Sequence, residues 1–170
     1  MRLSREILIS ESALKTRVEA LARAIAADTP GGEPLSVIVI LDGALMFGVD
    51  LVRRLPMPVR MALVPVTSID RGGDPTRLRL PDGFPVAGAD VLVLEDILDT
   101  GRTLATLKAH LLAMGPRSLR IAVLLDKPAR RAVPLVPEYV GFEVPDRWIV
   151  GYGLDAEGLY RNLPYISFLD

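Results

Sequence analysis

The sequence predicts an α/β protein built on a central, mostly parallel sheet, and three apolar runs carry that reading. Residues 37–41, 91–94 and 119–125 are short, continuous and rich in β-branched side chains, as in strands buried on both faces. Each delivers polar residues at its carboxyl end: Asp42-Gly43, Glu95-Asp96 and Asp126-Lys127-Pro128. Strands alternating with helical stretches wind into parallel sheets, and such sheets bind ligands in the crevice beyond their carboxyl ends.

Taken in order, Leu14, Val18, Leu21, Ala22 and Ile25 form one helical stripe that Pro30-Gly31-Gly32 ends before the first strand. Leu45, Val49 and Val52 mark a second helix, closed by Pro56 and Pro58. Val59, Met61 and Leu63 then alternate with other residues as in a half-buried strand. From residue 67 to 89 the chain turns to Arg, Asp, Gly and Pro, with a small hairpin around Pro81-Asp82-Gly83. So long a stretch within one domain is either an active-site lid or a disordered segment. Residues 139–170 hold short β-rich pieces and no long helical pattern, and they read as a cap over the sheet. Trp148, the single tryptophan, is either core or a plate on which a flat base stacks.

At 170 residues, half of them hydrophobic, the chain fits one domain. Twenty Lys and Arg against twenty-one Asp and Glu leave no bulk basic field for nucleic acid or an anionic membrane. No apolar run has the length of a membrane span and residues 1–10 lack a signal-peptide core, so a cytoplasmic protein is expected. There is no cysteine, and the one histidine, His110, falls within a helix at a position expected to be solvated. Acid–base chemistry then falls to carboxylates.

Residues 91–103, VLVLEDILDTGRT, concentrate those carboxylates. After the strand come Glu95, Asp96 and Asp99, and then Leu104, Leu107 and Leu111 recur at helical spacing as far as Gly115-Pro116. The turn thus opens a helix, where free N–H groups, the Thr100 and Thr103 hydroxyls and the flexible Gly101 suit a phosphate monoester. The acids beside it would repel a bare polyphosphate, so a phosphorylated sugar with magnesium is implied. For a single acid, a helix cap or a solvated loop would be the simpler explanation.

The string EDILDTGRTL, followed by LLDKPARR, YVGFEVPDRWIVGYGLD and YRNLPYI, resembles the type I phosphoribosyltransferases, and within them the hypoxanthine-guanine branch. The resemblance spans residues 37–170. It implies the phosphoribosyltransferase fold in one domain, 1–170, with a core near 35–130 and a small hood formed by the N-terminal segment and residues 139–170. It implies transfer of ribose 5-phosphate from phosphoribosyl diphosphate to N9 of hypoxanthine or guanine, giving IMP or GMP in purine salvage. By the same resemblance, Glu95 and Asp96 would hold the ribose hydroxyls and a magnesium shell, and Asp99 would face purine N7 as the catalytic, proton-handling residue. Asp99, Thr100, Gly101, Arg102 and Thr103 would cradle the 5′-phosphate. Lys127 would donate to purine O6, Trp148 would stack on the ring, the Ile149 backbone would meet its edge, and Asp155 would join a second magnesium beside the base. Leu41, Asp42, Gly43 and Arg161 would hold pyrophosphate, and a homodimer or homotetramer is implied.

Two positions depart from the family pattern. Asp42 stands where the pyrophosphate loop commonly has lysine, and Ile69 follows Ser68 where tyrosine is usual. Two other readings compete. A receiver-like phosphoacceptor domain needs an acidic pair after its first strand, which supplies only Asp42. A regulator that senses phosphoribosyl diphosphate and binds RNA would want a basic aromatic surface, and the charge balance argues against one.

Overall fold

Ser10 opens the first helix, α1 (Glu11–Asp28), by accepting a hydrogen bond from the Ala13 N–H at 3.2 Å, which satisfies one of the first-turn donors. The computed structural model to which this helix belongs describes residues 2–29, 31–65 and 80–170. The buried stripe of α1 is Leu14, Val18, Leu21, Ala22 and Ile25, as its periodicity requires, and Thr29 ends it by donating its hydroxyl to the Ile25 carbonyl.

Among the described residues the main sheet has five strands: β1 (Leu35–Leu41), β2 (Val59–Pro65), β3 (Asp90–Leu98), β4 (Ser118–Asp126) and β5 (Tyr139–Glu143). Their order is β2-β1-β3-β4-β5, and every pairing is parallel. The other helices are α2 (Leu45–Val52) and α3 (Arg102–Ala113). Alternation along the central strands divides the core in two. Val37, Val39, Leu92 and Leu94 pack with α1 and α2, while Ile38, Ile40, Val91 and Val93 pack with the Leu104, Leu107 and Leu111 stripe of α3.

Several expectations change in the structure. In α2 the buried face is Phe47, Gly48 and Leu51, and Val49 is exposed. Gly48 sets that face: a Cβ there would lie 2.7 Å from Val39 Cγ1, so only glycine lets the helix settle on β1. In β2 the period is right and the face reversed, because Ala62 and Val64 are buried while Met61 and Leu63 are exposed at the sheet edge. The strand carrying Glu95 and Asp96 runs on to Leu98, with Glu95, Ile97 and Leu98 in register with Val123, Leu125 and Asp126. Residues 139–143 belong to the central sheet and not to the cap, since β5 pairs with β4. The Pro81-Asp82-Gly83 stretch is a turn closed by Phe84 N–H on the Pro81 carbonyl, with no strand on either side among the described residues. Residues 67–79 of the expected lid, Ser68 and Ile69 included, lie outside the described residues.

The hood is a small antiparallel pair, β6 (Ile149–Val150) and β7 (Ser167–Phe168), laced to the N-terminal segment by the Leu3–Leu169 and Ile9–Ile166 bridges. No helix among the described residues is long and apolar enough to cross a membrane.

At the opposite end of the sheet from the crevice, buried Asp90 ties β3 to β4. It accepts from Arg117 Nη2 at 2.6 Å and from the Ser118 hydroxyl at 2.6 Å. The Arg117 hydrogen bond, against the cost of burial, holds its carboxyl below the usual carboxylate value. A folded-state pKa below the unfolded ~3.9 means that this stabilisation is present above that pH and is lost as pH falls through the folded value. Asp90→Asn should therefore lower the unfolding free energy at neutral pH by about 1–3 kcal/mol in urea titrations, and the gap from wild type should close on acidification below pH ~4. A gap that does not narrow on acidification would mean that the carboxylate charge contributes nothing.

Candidate functional site

β1 and β3 are neighbours, yet the chain leaves β1 for β2 on one side and β3 for β4 on the other, so a crevice opens between the carboxyl ends of β1 and β3. Leu41, Asp42 and Gly43 end β1 there, and the Leu41–Asp42 peptide bond is cis. Gly43 lies directly against the acids of β3. A Cβ on it would fall 1.7 Å from Asp96 Oδ2, so any larger residue would push that carboxylate out of place. The Asp42 side chain is 74% exposed and turns toward Arg161, whose Nη2 is 3.7 Å from its Oδ2.

Glu95 and Asp96 form a desolvated acidic pair. Burial and the neighbouring Asp96 charge push the Glu95 carboxyl well above the ordinary carboxylate range. Asp96 is also raised, mainly by burial, while its hydrogen bonds to Glu95 and to the Ile97 N–H and the charge of Arg161 act against the rise. A cation placed beside the pair would offset both effects. Among the described residues no third His, Cys, Asp or Glu joins them, so Glu95, Asp96 and Asp155 do not converge as one set of three. Two carboxylates suffice for magnesium, which keeps waters and takes its other oxygens from a phosphorylated ligand, and the donor set fits that ion.

The turn after β3 follows. Gly101, at φ +81°, holds the left-handed conformation that brings the chain round into α3, whose first N–H, that of Arg102, donates to the Thr100 hydroxyl at 3.4 Å. Arg102 and Thr103 belong to its first turn. Glu95 to Gly101, Thr103 and Gly43 line a cavity of about 240 Å³, with first-turn N–H groups of α3 at its base.

A second cavity of about 600 Å³ adjoins it, and both are lined by Asp96, Ile97 and Asp99. Its other walls include Lys127, Trp148, Ile149, Asp155, Arg130 and Asp146. Lys127, at the end of β4, is buried to 7% exposure and donates to the Arg147 carbonyl at 2.6 Å, with Asp146 at 3.8 Å. Burial lowers its pKa, and the Asp99 and Asp146 charges resist the fall. Trp148 is 54% exposed and is therefore a wall of the cavity and not core, whereas Ile149 is buried in β6. Asp155 accepts from the Gly158 N–H and pairs with Arg161 at 2.9 Å, and Arg161 also donates to the Gly153 carbonyl. Tyr152 clamps this part of the hood to α2 by donating to Asp50 at 2.6 Å, and burial, with that bond, raises its pKa far above the usual phenol value.

The structure thus gathers the carboxylates, the turn, Lys127, Trp148 and Ile149 around two joined cavities, and groups Asp42, Asp155 and Arg161 at one end. Arg130 was not expected there: its Nε is 2.8 Å from Asp99 Oδ1, too far off line for a hydrogen bond, which leaves that buried oxygen an ion pair and no donor. Two adjacent arginines just beyond a strand end that faces acids were the available signal.

A model of the phosphoribosyl transferase domain matches residues 5–157. The chain is 37% identical to the hypoxanthine phosphoribosyltransferase of Salmonella typhimurium over 166 residues, 95% of this chain and 93% of that protein. It is 40% identical over 167 residues to the bifunctional protein TilS/HprT of Listeria innocua, of which it spans 26%. A crystal structure of a hypoxanthine-guanine phosphoribosyltransferase from Bacillus anthracis superposes with a TM-score of 0.89 at 39% identity, covering 99% of this chain and all of that one.

Proposed function

The chain belongs to the phosphoribosyl transferase family, and we propose that it transfers ribose 5-phosphate from phosphoribosyl diphosphate to N9 of a 6-oxopurine, hypoxanthine or guanine, releasing pyrophosphate. The observation that carries this reading is the junction of the two cavities at Asp96 and Asp99. One cavity suits a phosphate, the other a flat base, and a ribose joining them would lie across both carboxylates.

The turn of residues 99–103 holds the 5′-phosphate through N–H groups and the Thr100 and Thr103 hydroxyls. Glu95 and Asp96 face the ribose hydroxyls and would hold magnesium, which when bound supplies neutralising charge for the departing diphosphate. Their negative charge also favours the oxocarbenium character that the ribose develops as that group leaves. Trp148 covers one face of the purine, the backbone at Ile149 meets its edge, and Lys127 donates to O6. Asp99 takes or gives the proton at N7, and Arg130 beside it holds the carboxylate in place.

The leaving group lies toward Leu41, Asp42 and Gly43, whose exposed Asp42 carboxylate is met by Arg161. Arg161, held by Asp155 and Asp42, is a cation within reach of the diphosphate. Met46, Val49, Met61 and Leu63, exposed apolar residues of α2 and β2, support a homo-oligomer, and the reaction is one of cytoplasmic purine salvage.

An assay of hypoxanthine, guanine, xanthine and adenine with phosphoribosyl diphosphate tests the reading. IMP or GMP should form, and formation should stop in excess EDTA and resume with magnesium. Adenine should be rejected by roughly 10⁴-fold, because its 6-amino donor would face the donor Lys127. No turnover with any base, or full turnover without a divalent cation, would contradict it. Asp99→Asn should lower kcat by ~10²-fold or more while IMP binding persists, and an unchanged kcat would remove Asp99 from the chemistry.

A further inference from the structure

We infer that Arg131 is a positioning residue for the phosphate turn: it holds the turn's carbonyl oxygens away from the anion, so that the N–H groups stay turned toward it. The inference rests on the turn being the 5′-phosphate cradle.

Three consecutive carbonyls of the turn accept hydrogen bonds from one segment, residues 127–132. Leu98 accepts from the Lys127 N–H at 2.9 Å, Asp99 from Arg131 Nη1 at 3.1 Å, and Thr100 from the Ala132 N–H at 2.9 Å. The next carbonyl, of Gly101, is taken by the Ala105 N–H within α3. All four acceptors are thus spoken for on the protein side. The first and third donors are backbone groups that any residue would supply, so the one contact that depends on a side chain is that of Arg131.

Its guanidinium is held for the purpose. Nη2 pairs with the Asp126 carboxylate at the end of β4, and both side chains are only 17% exposed. The fork shape of the group serves two acceptors at once, a backbone carbonyl and a carboxylate, which a lysine ammonium on its flexible stem matches poorly. The stem runs beneath the turn: a Cβ on Gly101 would fall 3.3 Å from Arg131 Cδ and 3.1 Å from Val133 Cγ2. Arg131 therefore braces the turn from behind and is paired within the protein, while Arg130, its neighbour, reaches the cavity and Asp99 Oδ1.

Without Arg131, the peptide between Asp99 and Thr100 is free to reverse. Reversal would bring the Asp99 carbonyl oxygen toward the ligand where the Thr100 N–H had been, setting a partial negative charge against a phosphate. The loss should fall on the phosphate and spare the base and the ribose.

The test compares inhibition constants of IMP and inosine, which differ only by the 5′-phosphate, for wild type, Arg131→Met and Arg131→Lys, with thermal unfolding followed alongside. In Arg131→Met the constant for IMP should rise at least 10-fold and that for inosine should stay within twofold, with Arg131→Lys falling between. Equal weakening of both ligands, or of neither, would overturn the inference. If the methionine variant does not fold, the lysine variant is read by the same criteria. A wild type that binds IMP no more tightly than inosine would instead overturn the turn as a phosphate site, a failure distinct from that of Arg131.

Discussion

The site depends on how closely the ends of β1 and β3 approach. Gly43 presents no side chain, so the Asp96 carboxylate occupies the space where a Cβ would be. That contact brings the β1 loop, the acidic pair and the turn after β3 together at the carboxyl ends of the strands. It also explains why the acids are expensive. Glu95 and Asp96 stand side by side, partly out of water, and burial raises both carboxyls, so a nearby cation would favour their charged forms. The hood adds to the same constraint, since a Cβ on Gly153 would fall 2.2 Å from the Gly43 carbonyl oxygen. A glycine on each side of that contact lets the hood carry Asp155 and Arg161 up to the β1 loop.

Much of the fold could be read from the sequence where side-chain size and period agree. The α1 and α3 stripes are long enough for one face to dominate, and their buried residues are those the spacing selects. The period failed to choose the face in α2 and β2. In α2 the buried face contains Gly48, which has no hydrophobic signal and matters because it is small. In β2 the larger Met61 and Leu63 lie on the α1–α2 face of the sheet but on its edge strand, where they stay exposed, while the smaller Ala62 and Val64 enter the α3-side core. β5 was hidden for another reason. Five residues with no helix after them look like an isolated piece until β4 offers its free edge.

The site was legible wherever a charged or aromatic residue stood just beyond a buried strand. Asp99 and Lys127 carry that signal, and the structure brings them to the second cavity together with Trp148, which stands just before β6. Pairing within the site was less visible, because order along the chain does not say that Arg161 bridges Asp42 and Asp155. At position 42 that arginine gives the exposed carboxylate a cationic partner from the hood. Least visible was the direction of backbone groups. That three carbonyls of residues 98–100 turn toward the 127–132 segment follows from the crossing of two loops at adjacent strand ends, which no residue type announces.

In the proposed reaction one ligand lies across both cavities, its phosphate at the turn and its base at the hood, with the ribose over Asp96 and Asp99. A crystal structure of the protein with IMP tests this most directly. The account predicts phosphate oxygens within hydrogen-bond distance of the N–H groups of residues 99–103, the purine against Trp148, and O6 beside Lys127 Nζ. A nucleotide bound in the reverse sense, or outside these two cavities, would contradict it.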